Sequence, residues 1–380
     1  MAGLSGRGVP LRVGLVAATL LLVACGLLAS GVVLEAWSWR SVFALNAVLA
    51  VIAIIGTLRV IPESADPRAP RLDLVGALMT VAGLGVLVYS VIEAPSHGWV
   101  SAHTLGGIGI GLLILVGFVR WELTRENPLI DPRLFRNRAL TAATLSITFA
   151  FFAFFGFVFL VLQYLQLVRG DSPLVAAVSL VPMALALMPS ARVVAPRLAG
   201  HLGVMRVSVL GLALVAAGLL VLSCLDGGSS YWLLFTGLVL LGAGMGLAMT
   251  PATAAITDAL PVAKQGVGSA VNDLARELGG ALGIAVLGSV LHSTYRSHLD
   301  PAGLPEPVAE QARSSLAMAS RLGHLIESQA QQAFVDGMQL AFGCAAVVLA
   351  VTAISVVALL HRPDAEPHST DVESWGHAGG

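Results

Sequence analysis

The chain has 380 residues, 57% of them hydrophobic and only 11% charged. A water-soluble domain usually carries about 25% charged residues, so a soluble globular fold is excluded. The formal net charge of -1 offers no basic field for nucleic acid, and Cys25, Cys224 and Cys344 make no CxxC pair, which leaves neither a disulfide frame nor a zinc site to expect.

Ten apolar runs carry most of the information. In chain order they cover 13–34, 41–61, 72–94, 104–121, 139–167, 174–195, 205–225, 231–256, 266–292 and 332–361. A bilayer core about 30 Å thick takes about 20 helical residues per crossing. With no water there to satisfy open strand edges, runs of this length are helices. The expected fold is an all-α polytopic membrane protein of about ten transmembrane helices.

The first run follows Arg7 and Arg12 and passes through Leu22-Val-Ala-Cys25, the pattern of a bacterial lipoprotein cleavage site. It continues apolar to Leu34, which suits a full crossing rather than a lipidated Cys25. Orientation follows from the basic residues. With the N-terminus inside, the inner segments hold fifteen of them, from Arg7 to Arg362, and the outer ones five: Arg40, Arg169, Arg296, Arg313 and Arg321. That bias places both termini in the cytoplasm of a multi-pass protein of the cell membrane.

Two arginine- and proline-rich stretches divide the chain. One runs from Arg59 to Arg71 with Pro62, Pro67 and Pro70; the other runs from Arg120 to Arg138 with Pro128 and Pro132. They set off residues 1–61 with two helices, 62–138 with two central helices, 139–361 with six, and a polar tail over 362–380 expected to be disordered.

In the fifth run the stretch from Phe151 to Leu167 holds six of the thirteen phenylalanines, then Gln163, Tyr164 and Gln166. Rings beside amides make an adaptable pocket for planar apolar ligands, so Phe155, Phe159, Gln163 and Gln166 are expected to line a substrate cavity, with lipid contact or core as the alternative. Small residues and prolines punctuate later runs. Gly242 and Gly246, and likewise Gly279 and Gly283, permit close helix approach, while Pro182 and Pro251 permit bends. Bent helices recur in transporters that rock.

The ninth run places Asp273, Arg276 and Glu277 on neighbouring parts of one helix face. Asp273 sits about 10 Å in from the end of its run. A charge at such a depth costs about 2.5–3.5 kcal/mol even on the mildest scales, so these groups face protein or water rather than lipid. They form either a proton or cation relay or a structural ion pair between Asp273 and Arg276. Asn272 beside them joins the cavity set. The outer segment 293–331 is the one long loop, and Ala312, Leu316, Leu322 and Ile326 recur there at roughly helical spacing, which predicts a surface helix along the membrane face.

Several stretches carry a family resemblance. The segment 164–182, with its Arg169-Gly-Asp-Ser-Pro173 turn, resembles the junction of the ninth and tenth helices of EmrB/QacA-type transporters. These are the fourteen-helix drug:proton antiporters of the major facilitator superfamily. Trp37-Ser-Trp-Arg-Ser-Val-Phe-Ala-Leu-Asn46 is similar to the link between that family's fifth and sixth helices, and the segment 266–283 to its thirteenth. Ala333-Phe-Val-Asp-Gly-Met338 resembles the start of its fourteenth, while Gly26-Leu-Leu-Ala-Ser-Gly31 keeps the fifth-helix glycines without their proline.

The resemblance implies a major facilitator fold whose ten helices correspond to the last ten of fourteen, leaving an incomplete N-terminal bundle. It implies a secondary transporter rather than an enzyme, exporting small hydrophobic or cationic drugs or metabolites by alternating access. The energy source would be protons moving down their gradient, with no cofactor and no metal. The alternative is a non-transporting membrane protein that acts by helix–helix interaction, with a membrane partner supplying the missing helices.

Overall fold

The computed structural model describes residues 33–34, 39–60, 73–125, 128–260, 265–300, 305–322 and 324–361. The predicted helix over 13–34, with Cys25, Gly26 and Gly31, lies almost wholly outside these residues, and so does the tail 362–380. Among the described residues nine helices are long and apolar enough to cross a membrane.

Helix α1 spans Trp39–Val60. Helices α2, Leu74–His97, and α3, Ala102–Leu123, form a hairpin. After a short turn of 3-10 helix at Pro132–Arg136, α4 runs Arg138–Gln163 and continues as a π turn over Tyr164–Val168. The next crossing is built in pieces: α5 at Pro173–Ser179, α6 at Val181–Pro189, a π turn at Ser190–Val194, and α7 at Ala195–Leu202. Helices α8, Val204–Leu222, α9, Tyr231–Asp258, and α10, Gln265–His298, follow. A strap of two short helices, α11 at Glu306–Ser314 and α12 at Leu316–Ala319, leads into α13 at His324–His361.

Polar residues ahead of the apolar runs begin these helices by capping free N–H groups. Asp73 accepts from Gly76 N at 2.9 Å, Ser101 from Thr104 N at 3.2 Å, and Asn137 from Ala139 N and Leu140 N. Proline acts as its missing N–H dictates in the broken crossing. Pro182 opens α6 after the interruption at Leu180, and Pro189 closes it before the π turn. Pro251, by contrast, is buried inside α9, which runs on to Asp258. Helices α10 and α13 extend beyond the hydropathy limits because their polar ends still bury Tyr295 and Ala330 against the bundle.

Lipid is as apolar as leucine, so helix association in a membrane depends on close backbone packing through small residues. Gly242 lies against the Met183 carbonyl and Gly246 against that of Leu187, where a Cβ would come within 2.6 Å of the oxygen. Gly279 and Gly283 of α10 rest on the carbonyls of Thr148 and Phe152 of α4. These contacts join α6 to α9 and α4 to α10 around a core that includes Phe157, Tyr164 and Phe342. The α2–α3 hairpin is fastened to the bundle through α10, where buried Ser289 Oγ donates to Val91 O at 2.7 Å. Helix α1 differs, for none of its residues 39–59 is buried.

The strap departs from the single surface helix expected near 308–326. It breaks at Ser315 into α11 and α12, and Ala309, Ala312, Leu316 and Ala319 are buried against protein instead of lying on lipid. Tyr295 Oη of α10 donates to Ala312 O at 2.9 Å, and Arg296 pairs with Glu310 at 2.9 Å. Small side chains let the strap sit close enough to α10 and α13 for these bonds to form.

Candidate functional site

Helix α10 presents two contrasting faces along one stretch. Val271, Asn272, Ala275 and Gly279 are buried, whereas Asp273 and Glu277 are exposed. Arg276 lies at the edge between them, its guanidinium carbon 5.1 Å from the centre of the Phe151 ring. Its Nε is buried with no hydrogen-bond partner. Among the described residues neither Asp273 nor Glu277 forms an ion pair with Arg276, so the structural pair posed as one alternative for this triplet is not closed here. Asn272, placed in the cavity set from sequence, is buried and accepts a hydrogen bond from Thr253 Oγ1 at 3.1 Å, tying α10 to α9.

The four α4 residues named from sequence separate. Gln166 lines an apolar cavity of about 630 Å³ between α4, α5 and α6, together with Phe154, Leu162, Met183 and, from near the start of α1, Val42. Phe159 lines a second cavity of about 360 Å³ between α2, α4 and α10. Phe159 and Gln163 both line an adjoining pocket of about 140 Å³ under the strap, and Gln163 Nε2 also donates to Phe159 O at 3.0 Å. Phe155 lies instead over Gly280 and stacks with Phe151 and Phe154 beside Arg276.

Two amides three residues apart share a face in an α-helix. The wider π turn beginning at Tyr164 rotates Gln166 away from Gln163. That turn is pinned by hydrogen bonds from Tyr164 Oη to Asp226 O at 2.6 Å and from Gln331 Nε2 to Leu167 O at 3.1 Å. Sequence reasoning also passed over His292 and Ser96, which line the second cavity. The available signal was two polar side chains at the end of otherwise apolar runs.

A second charged cluster, also passed over, closes the hairpin at its arginine-rich end. Asp73 accepts from Gly76 N through Oδ1, and from Trp121 Nε1 at 2.8 Å through Oδ2, which also lies 3.8 Å from Arg125. Arg125 stacks on Trp121, 3.8 Å from the ring centre. The Gly76 N–H, more than any other group, holds the Asp73 carboxyl below its ordinary value, with Trp121 and Arg125 adding to it against partial desolvation. Buried Glu122 accepts from Ile130 N at 3.3 Å and presses its other oxygen against Gly76.

Fold and site together describe a multi-pass α-helical membrane protein with cavities between its helices and an unpaired charged triplet on a spanning helix. Residues 5–284 match the family described as Major Facilitator Superfamily, and the chain belongs to that family. It is 32% identical over 341 residues to the multidrug resistance protein Stp of Mycobacterium tuberculosis, an alignment covering 84% of this chain and 63% of that protein. It is 32% identical over 331 residues to the methyl viologen resistance protein SmvA of Salmonella typhimurium, covering 84% and 64%. With the tetracenomycin C resistance and export protein of Streptomyces glaucescens the identity is 29% over 359 residues, covering 90% and 66%. The chain therefore spans a little under two thirds of the length of these relatives.

Proposed function

We propose that this chain serves proton-coupled efflux of small hydrophobic or cationic compounds, on the fourteen-helix plan of the EmrB/QacA-type antiporters. The order of elements supports that plan: a two-helix hairpin, α2–α3, followed by a bundle of six crossings from α4 to α13. The names of the relatives, which speak of drug resistance and export, point the same way.

The observation that carries the proposal is the triplet on α10. Two exposed carboxylates and a partly buried guanidinium with an unused N–H, set in a membrane-spanning helix, are costly unless something binds there. A carboxylate holds either a proton or a substrate cation. That exclusive occupancy couples the two fluxes: a proton arriving from outside releases the cation, and a cation arriving from inside releases the proton. Arg276, three residues on from Asp273, has the helical spacing to pair with that carboxylate when it is empty. The arginine-rich helix ends face the cytoplasm in this scheme, and the proton gradient is the energy source. Alternating access requires a facing half-bundle. Residues 1–61 contribute to it, and a membrane partner docks on α1, whose apolar surface is unburied.

The test is dye counterflow and pH-gradient-driven uptake by the full chain in proteoliposomes. Asp273→Asn is expected to abolish the response to the gradient while dye exchange persists. Folded protein with no flux of any kind would overturn transport by this chain alone and leave the reading in which it acts through α1 on a partner.

A further inference from the structure

The cavity between α2, α4 and α10 and the pocket beneath the strap share Phe159, Gly288 and His292, so they form one crevice. Their volumes are about 360 and 140 Å³. Together they are large enough for a drug-sized molecule. We propose that this crevice binds an uncharged aromatic molecule, its ring lying along the exposed side of Phe159 and its polar substituent meeting His292 and Ser96.

Three observations carry this assignment. Phe159 is 41% exposed and its ring edge rests directly on Gly288, where a Cβ would already crowd it at 3.2 Å, so the exposed part of the ring borders the cavity. Among the described residues the His292 ring and the Ser96 hydroxyl make no hydrogen bond, whereas the neighbouring Ser289 hydroxyl is consumed by Val91 O. The remaining wall, Ile92, Ile284 and Ala285, is apolar. No carboxylate lines the crevice, and Arg296, one turn beyond His292, is paired with Glu310. A fixed charge would have to be desolvated there without a counter-ion, which selects for neutral ligands. Along α10 the crevice begins at Ile284, seven residues or about 10 Å from Glu277, and reaches His292, about 22 Å away, at 1.5 Å per residue. None of the charged triplet lines it, and its assignment does not depend on the transport reading.

The test is equilibrium binding of the neutral fluorophore N-phenyl-1-naphthylamine to the full chain in lipid nanodiscs, with no gradient applied. Saturable fluorescence above that of protein-free nanodiscs is expected. Gly288→Leu drives a side chain against Phe159 and into the crevice from α10, and Ile92→Trp fills it from α2; each should weaken binding about tenfold or more. The two act from opposite walls, so either one that folds decides the matter. An excess of tetraphenylphosphonium, a permanent cation, should not displace the probe. Partition no greater than in protein-free discs, undiminished binding in the folded wall variants, or displacement by the cation would each overturn the assignment.

Discussion

The two charged clusters of this protein differ in how their groups are satisfied. At the end of the α2–α3 hairpin, Asp73, Trp121 and Arg125 are bonded or stacked to one another, and Glu122 accepts from the Ile130 N–H with one oxygen and leaves only the other unused. On α10, Asp273 and Glu277 are exposed and Arg276 keeps an idle N–H. A cluster that holds a fold together uses its hydrogen-bonding capacity internally, because each unmet buried group costs free energy. The relay proposed for α10 would need capacity left free. Proximity of charges along a sequence does not distinguish the two, whereas their partners do.

Substitutions can break or sharpen this contrast. The largest effect is expected from Gly283→Leu, which drives a side chain into the Phe152 carbonyl and separates α10 from α4. Overpacking of this kind costs about 1–3 kcal/mol, and against a backbone carbonyl the upper end applies. Loss of the monodisperse peak in size-exclusion chromatography would report it. Glu122→Ala removes the acceptor of the Ile130 N–H from a buried position and should cost about 1–3 kcal/mol, seen as a lower melting temperature. An unchanged melting temperature would show that the hairpin cluster is not structural.

Acid should act on the closed cluster and the strap. The Gly76 N–H chiefly holds Asp73 below 3.8, and the Arg296 hydrogen bond chiefly holds Glu310 below 4.5. A folded value below the unfolded one means stabilisation that is complete above the unfolded value and is lost as pH falls through the folded one. Melting temperature should therefore lose nothing through these groups between neutrality and about pH 5, then fall in stronger acid. Asp73→Asn and Glu310→Gln should each flatten that acid limb. The smallest effect on stability belongs to Asp273→Asn. An exposed, unpaired group changes stability by no more than about 0.5 kcal/mol, even though the same substitution is expected to remove the response of flux to a pH gradient. A large drop in melting temperature would instead make Asp273 a structural residue.

The legible part of the fold was the set of crossings. Nine of the ten predicted runs overlap membrane-length helices, and the tenth lies outside the described residues. Length and hydropathy suffice there because a helix in lipid satisfies its backbone within itself. The strap was less legible. Ala312, Leu316, Leu322 and Ile326 read as one face of a surface helix, yet Ala312 and Leu316 bury against protein, since an apolar pattern does not say whether lipid or a neighbouring helix covers it. At the site, the Asp273, Arg276 and Glu277 triplet stood out because charge is rare in apolar runs. The separation of Gln166 from Gln163 did not, because it depends on a π turn held by Asp226 and Gln331, residues remote in sequence.

By itself the sequence determined that the chain crosses a membrane repeatedly as helices, where its charges fall along them, and which positions are small enough for close packing. These are local properties, fixed by the cost of carrying polar groups into lipid. Only the tertiary structure decided which charges are satisfied and which stand open, that Asn272 ties α9 to α10, and that His292 and Ser96 meet in one crevice with Phe159. Those outcomes depend on which helix faces which, and packing settles that through contacts between residues far apart in the chain.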